Sequence, residues 1–248
     1  ACLSNSEISA FQRELGARTH QMPISFTVIP EVAALGGQLG VAKEDIIDFT
    51  SVVARLSETS DLTTESAGTM IGRFAAINDV ASYEYEKLAS AVLKVGINSM
   101  ATESDIANVS LQISSMWNIA GMTAEQIVGL AGGMASVGVA PELSRSVITQ
   151  TFTKIDKAVR ESGEELERFA SLAGVSADEF KAAWGTDQFS GLFVDMLEGL
   201  RQAGTDGSQV LADLGITSQR TVPSLLRMAQ GVEVIDSAMG DASSGWLG

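Results

Sequence analysis

The chain has 248 residues, 45% of them hydrophobic and only 6% aromatic, which excludes a disordered polymer and predicts a core of mainly aliphatic side chains. Sixteen basic and 31 acidic residues give a net charge of −15, which opposes stable binding to a nucleic-acid backbone. The lone cysteine, Cys2, has no partner for an intrachain disulfide, and Cys2 with the lone His20 cannot make a metal site.

The first 38 residues are expected to form a short helix followed by an extended arm. Ser4 and Glu7 have the spacing of a capping box for a helix over 4–18. The stretch 24–29 alternates between two prolines as a strand does. A lone strand makes no sheet, so this arm is interpreted as a connector or as a strand added to a partner's sheet edge.

Four amphipathic helices are predicted between residue 43 and the middle of the chain. Apolar residues recur every three or four positions over 43–57, 64–77 and 84–96, and again from the cap at Thr102. Gly96 is expected to end the third helix. Short turns between amphipathic helices are typical of a helical bundle.

The corner at Gly121 is the clearest helix start in the chain. Gly121 is expected to adopt the left-handed conformation that follows a helix. Thr123 and Gln126 are spaced as a capping box, in which each side chain binds a main-chain amide of the other residue.

After Glu125 the helix that follows this corner is uncharged, and it contains glycines at helical spacing. Gly129 and Gly133 lie one turn apart, which predicts close contact with a neighbouring helix. Gly138 is expected to end this helix, and Pro141 to begin the next, where a proline loses no hydrogen bond.

The carboxyl-terminal half repeats the same pattern of corners. Gly174 is expected to end one helix and Ser176 to cap the next, with Phe180 packed inward. Apolar stripes over 189–200 and 208–230 predict further helices. The acidic cluster at 164–167 is interpreted as a solvated helix face, because acid–base catalysis needs a closed pocket.

These elements together predict an all-α fold, a compact multi-helix bundle-like domain of short amphipathic helices with an extended amino-terminal arm. The predicted domain covers residues 39–230 and follows the helix and arm of residues 1–38. Residues 231–248 are rich in glycine and serine and are interpreted as a linker to further sequence. The Ala-Cys start is interpreted as that of a fragment or a processed product.

The order of the motifs resembles the core region of bacteriophage tail tape-measure proteins, over roughly residues 39–230. The residues that carry the resemblance are 49–50, 121–141, 169–184, 197–200 and 214–216. That family has no catalytic motif here, so the resemblance implies no catalytic, metal or cofactor-binding residue and no enzymatic activity. The residues singled out are structural: Gly121, Thr123, Gln126, Gly129, Gly133, Gly138, Pro141, Gly174, Ser176 and Phe180.

The resemblance implies a structural component of a phage tail or phage-tail-like particle. Such a protein sets tail length, templates assembly of the tail tube and is released during DNA ejection into the host. Its expected partners are the tail tube protein, tail-tip or baseplate proteins, tail assembly chaperones and further copies of itself, with no stable nucleic-acid binding. Its expected location is the tube lumen or tip of the virion tail, and the host cytoplasm during assembly.

Two other functions are weighed against this one. The first is a membrane-perturbing, pore-forming segment centred on 121–139 that would contact the host membrane during ejection. Only about 14 uncharged residues lie between Gln126 and Pro141, fewer than the ~20 that span a bilayer, which favours a buried helix. The second is a cell-wall hydrolase, for which the sequence contains no recognisable motif.

Overall fold

The computed structural model describes residues 29–247, apart from the side chains of residues 29, 117 and 118. The predicted helix over 4–18, the strand-like residues 24–28, Cys2 and His20 lie outside the described residues. Every regular element within 29–247 is a helix, which confirms the all-α prediction.

The α-helices are short and follow one another closely along the chain. They are α1 (Ile29–Gln38), α2 (Ile46–Thr59), α3 (Thr64–Thr69), α4 (Ala75–Ile77), α5 (Tyr85–Asn98), α6 (Glu103–Ile113), α7 (Trp117–Ala120), α8 (Ala124–Ser136), α9 (Pro141–Glu161), α10 (Glu164–Leu172), α11 (Ala177–Ala183), α12 (Phe189–Gln202), α13 (Gly207–Asp213), α14 (Thr221–Gln230) and α15 (Val232–Leu247). Single 3₁₀ turns lie at Lys43–Asp45, Ser82–Glu84, Ser114–Met116 and Gly204–Asp206, and a π-helical turn at Met70–Phe74 joins α3 to α4.

Glycines with positive φ end or separate several helices, as the sequence predicts. Gly40, Gly121, Gly138, Gly174 and Gly215 all have φ between +70° and +84°, where a side chain would be strained.

The prediction for Gly96 is wrong. This glycine lies inside α5, which continues to Asn98 and ends where Ser99 becomes extended. A Cβ atom on Gly96 would lie 2.7 Å from Cδ of Glu103, the first residue of α6. The glycine therefore makes room for the start of the next helix rather than ending its own.

The extended arm predicted up to residue 38 is wrong for residues 29–38, which form α1. Val32 is fully buried, and the Leu35 side chain lies where a Cβ atom of Gly68 would be. A Cβ on Gly36 would lie 2.8 Å from Cδ1 of Phe49. This helix is rich in glycine and intrinsically weak, and packing against α2 and α3 stabilises it.

The linker predicted for residues 231–248 is wrong for residues 232–247, which form α15. One face of α15 is buried and consists largely of small side chains: Val232, Ile235, Ala238, Ala242 and Gly245. This face packs against α8 and α5. Its spacing of three or four residues is helical, but its small side chains give a weak hydrophobic signal in the sequence.

The described helices share one hydrophobic core, which extends from Val32 to Ala242. Its carboxyl-terminal part is aromatic, with Phe152 at the centre. The Phe152 ring lies 5.4 Å from the ring of Phe189 and 5.3 Å from that of Phe193, both nearly perpendicular to it. Such edge-to-face contacts stabilise a core beyond simple burial, and they hold α12 against α9.

Candidate functional site

The predicted close contact at Gly129 and Gly133 is present, and its partner is α15. A Cβ atom on Gly129 would lie 2.5 Å from Cα of Met239, and one on Gly133 would lie 2.7 Å from Cα of Ile235. Both distances are well inside van der Waals contact, so the two backbones meet only because these residues lack side chains.

The other side of α15 makes a similar contact with α5. A Cβ atom on Gly245 would lie 2.9 Å from Cα of Ala91. The Asn98 Nδ2 atom donates a hydrogen bond to Asp241 Oδ1 at 3.0 Å. We call the contacts of α15 with α8 and α5 the small-residue junction.

The Gly121 corner joins α8 to the turn after α11. The capping box is present: the Thr123 amide donates to Gln126 Oε1 at 2.9 Å, and the Gln126 amide donates to Thr123 Oγ1 at 3.5 Å. Gln126 Nε2 also donates to the Asp187 carbonyl at 3.0 Å. A Cβ atom on Gly121 would collide with the backbone of Gly185, so this corner is a contact between two turns.

The corner between α8 and α9 is held by a distant arginine. Arg227 Nη1 donates a hydrogen bond of 2.8 Å to the Gly138 carbonyl, which lies just past the end of α8. Pro141 is the first residue of α9, where its missing N–H costs no helical hydrogen bond.

At the Gly174 corner, the predicted cap Ser176 forms a capping box with Glu179. The Ser176 amide donates to Glu179 Oε2 at 2.9 Å, and the Glu179 amide donates to Ser176 Oγ at 3.3 Å. Phe180 is fully buried, with its ring 6.3 Å from that of Phe169. The ten predicted residues thus lie at separate corners and contacts and do not converge on one site.

Sequence reasoning missed an open surface cleft of about 760 Å³ between α10, α12 and α13. Its lining includes the end of α10, the middle of α12 and the end of α13, and contains Arg168, Ser171, Leu172, Ala173, Gly174, Asp195, Glu198, Gly199, Gln202, Val210, Asp213 and Leu214. We call it the α10–α12–α13 cleft. Gly199 inside an otherwise apolar helical stripe is the only local signal that predicts a close backbone contact here.

Gly199 fixes the base of this cleft. A Cβ atom on Gly199 would collide with the Leu172 carbonyl at the end of α10. The two helices therefore touch through backbone atoms at this point of the cleft lining.

An ion pair organises one wall of the cleft. Arg201 donates from Nε and Nη2 to the two carboxylate oxygens of Glu198, at 2.7 and 2.6 Å. These hydrogen bonds from Arg201, with a further one from Gln202, lower the pKa of Glu198 to about 2. Glu198 thus stays ionised and paired at neutral pH.

Asp195 differs from Glu198, because its pKa is raised instead of lowered. Asp195 is exposed at the cleft surface, but partial desolvation raises the pKa of its carboxyl and the nearby carboxylate of Asp236 raises it further. Within residues 29–247, no side chain or amide donates a hydrogen bond to Asp195 and no cation pairs with it. It is therefore an ionisable group in a cleft without a counter-charge.

No arrangement typical of metal binding occurs in the part of the chain that the structure describes, since no three His, Cys, Asp or Glu residues converge there. Glu164 in the acidic cluster is exposed and pairs with Arg168 at 3.3 Å, as a solvated face does. Among the helices of residues 29–247, none combines the length and the apolar character that a membrane crossing requires.

Comparison with family models gives a match that covers most of the chain. The family model described as phage-related minor tail protein matches residues 10–241. No curated protein and no solved structure matches the chain significantly.

Proposed function

The chain belongs to the family of phage-related minor tail proteins, and from that premise we propose that it is the folded core of a tape-measure protein. Family membership makes it a structural component of a phage tail. The finer proposal is that it helps to set tail length, templates assembly of the tail tube and leaves the tail during DNA ejection. The order of its sequence motifs supports this finer role.

The helical structure bears on how such a protein would measure length. A ruler made of one straight helix would extend roughly 370 Å over this many residues. Here the helices fold back on one another around a core that joins Val32 to Ala242. We therefore propose that this chain contributes a folded unit to tail assembly, and that length is measured mainly by sequence elsewhere.

The proposed partners follow from that position in the tail. The tail tube protein, tail-tip or baseplate proteins, tail assembly chaperones and further copies of the chain would contact it in the tube lumen or at the tip. The net charge of −15 suits a protein that DNA must pass without binding, because like charges repel the phosphate backbone.

The observation that carries the folded-unit proposal is the small-residue junction. One pair of variants, made in the phage or prophage that encodes the chain, tests this proposal. Gly133→Leu places a side chain against Ile235 of α15, whereas a Cβ on Gly240 meets nothing within 4 Å. Gly240→Leu is therefore a matched control, because it introduces the same side chain at a glycine of α15 that has open space around it.

We expect Gly133→Leu to reduce the number of tailed particles in electron micrographs, with the remaining tails of normal length, and Gly240→Leu to leave both unchanged. In-frame removal of residues 102–173 should likewise abolish orderly tails. A straight helical ruler would instead yield viable tails shortened by about 110 Å. Such tails, or normal tails from an unfolded Gly133→Leu protein, would refute the folded-unit role.

A further inference from the structure

The α10–α12–α13 cleft carries more negative than positive charge. Among the described residues, three carboxylates line it, from Asp195, Glu198 and Asp213, and the lining cation is Arg168. Arg168 Nη2 pairs with Glu164, and its Nη1 donates to the Asp213 carbonyl at 3.0 Å. Arg168 is therefore occupied.

Two of the three carboxylates lack an ion-pair partner among the described residues. Glu198 is neutralised by Arg201. Asp213 accepts one hydrogen bond, from Gln209 Nε2 at 2.7 Å, but pairs with no cation. Asp195 has neither a hydrogen-bond donor nor a paired cation among the described residues, and it also faces the negative charge of Asp236. A cation entering the cleft would relieve that repulsion.

The main chain adds to the negative potential of the cleft. The carboxyl-terminal ends of α10 and α13 both lie in its lining. The last carbonyl groups of a helix have no helical partner and carry partial negative charge, which favours nearby cations. Arg168 already binds one of these carbonyls, that of Asp213.

The lining of the cleft is apolar between these charges. Leu172 and Val210 are half-buried in it, and Leu214 is almost fully buried. Lysine and arginine side chains combine an aliphatic stem with a charged head, so one such side chain matches both the apolar and the acidic parts. A volume of about 760 Å³ is large enough for such a side chain and its neighbours in a peptide.

We propose that this cleft is a docking site for a basic segment of a partner protein, with a lysine or arginine seated against Asp195 and its stem on Leu172 and Val210. The proposal goes beyond the tail role, because it identifies a recognition site whatever the partner's identity. A bare metal ion fits less well, because no three ligating side chains converge within residues 29–247.

The probe is a pair of synthetic peptides that differ in one charge. Acetyl-Ala-Leu-Arg-Leu-Ala-amide carries the guanidinium, and the same peptide with citrulline in place of arginine is a neutral isostere. Each is titrated into the full ¹⁵N-labelled chain at low salt while the backbone amide shifts are followed by NMR.

We expect the arginine peptide to shift amides that line the cleft and to bind about tenfold more tightly than the citrulline peptide, because Asp195 and Asp213 are both exposed and an exposed charge pair contributes up to about 1 kcal/mol. Asp195→Asn should weaken binding about fivefold, and Asp213→Asn should weaken it less. Glu44→Gln, which removes an exposed acidic charge from the 3₁₀ turn at Lys43–Asp45, should leave binding unchanged.

Three results would overturn the proposal. They are equal binding of the two peptides, arginine-peptide shifts spread over the whole surface, and unchanged binding in a folded Asp195→Asn variant. Spermidine serves as a third ligand: if it binds as tightly as the arginine peptide, the cleft is a site for free polyamines and the protein-segment assignment is wrong. Thermal melts of each variant check folding, and Asp195→Asn should fold because it removes an unpaired charge.

Discussion

Replacing Gly133 by alanine tests whether α15 is held against α8 by backbone contact. The added Cβ atom would lie 2.7 Å from Cα, 2.9 Å from Cγ1 and 3.0 Å from Cβ of Ile235. Ordinary carbon contacts are 3.5–4.0 Å, so α15 would have to move away by about 1 Å over this turn.

The expected free-energy change is a balance of two effects. Overpacking a tight contact costs about 1–3 kcal/mol. Alanine also favours the helix over glycine by about 1 kcal/mol, which offsets part of that cost. We therefore expect Gly133→Ala to lower the free energy of unfolding by about 1 kcal/mol, and Gly133→Leu to lower it by roughly 3 kcal/mol or more.

Urea melts of the purified chain, followed by circular dichroism at 222 nm, measure these differences. Gly240→Ala is the control, since its Cβ would project into open space from the exposed face of α15. It should raise the free energy of unfolding by up to about 1 kcal/mol. If Gly133→Ala stabilises the chain as much as Gly240→Ala does, the backbone contact between α8 and α15 does not exist in solution.

Three further predictions concern charges and the last helix. Asp61 Oδ1 accepts a 2.8 Å hydrogen bond from the Ser104 amide at the start of α6. Burial raises the pKa of Asp61, but this hydrogen bond and its neighbours lower the pKa by more. The ionised Asp61 therefore stabilises the fold above its unfolded pKa, and this stabilisation is lost as the pH falls through its folded pKa. Asp61→Ala should therefore cost roughly 0.5–1 kcal/mol at pH 7 and progressively less in melts below pH 4. The pKa shift of Asp195 has the opposite sign, since burial and Asp236 raise its pKa and its protonated form favours folding. Asp195→Asn should therefore increase the melting temperature at pH 7 and leave it unchanged at pH 3. Removing residues 231–248 should expose the glycines of α8, cause loss of cooperative unfolding and increase binding of a hydrophobic dye; an unchanged melting transition would show that α15 is dispensable.

Local interactions explain what the sequence could predict. Thr102, Thr123 and Ser176 all cap helices as predicted, and each does so in a capping box. Each depends on side chains three residues apart, and glycine turns such as Gly138 depend on one backbone conformation. The aliphatic stripes between them already specify an all-α chain, because a helix that is apolar on one face must pack that face against another.

The tertiary structure alone decides which helices meet and where the surface opens. The sequence indicates that Gly129 and Gly133 face a neighbour, but that neighbour is α15, about a hundred residues later in a segment interpreted as a linker. Glycine and serine give α15 low helix propensity and little apolar area, so its helix forms only where packing against the matching small residues of α8 and α5 outweighs its conformational entropy. The α10–α12–α13 cleft also depends on tertiary packing. The contact of Gly199 with the Leu172 carbonyl sets how α12 crosses α10, and no local sequence pattern brings Asp195 and Asp213 to the rim of the cleft.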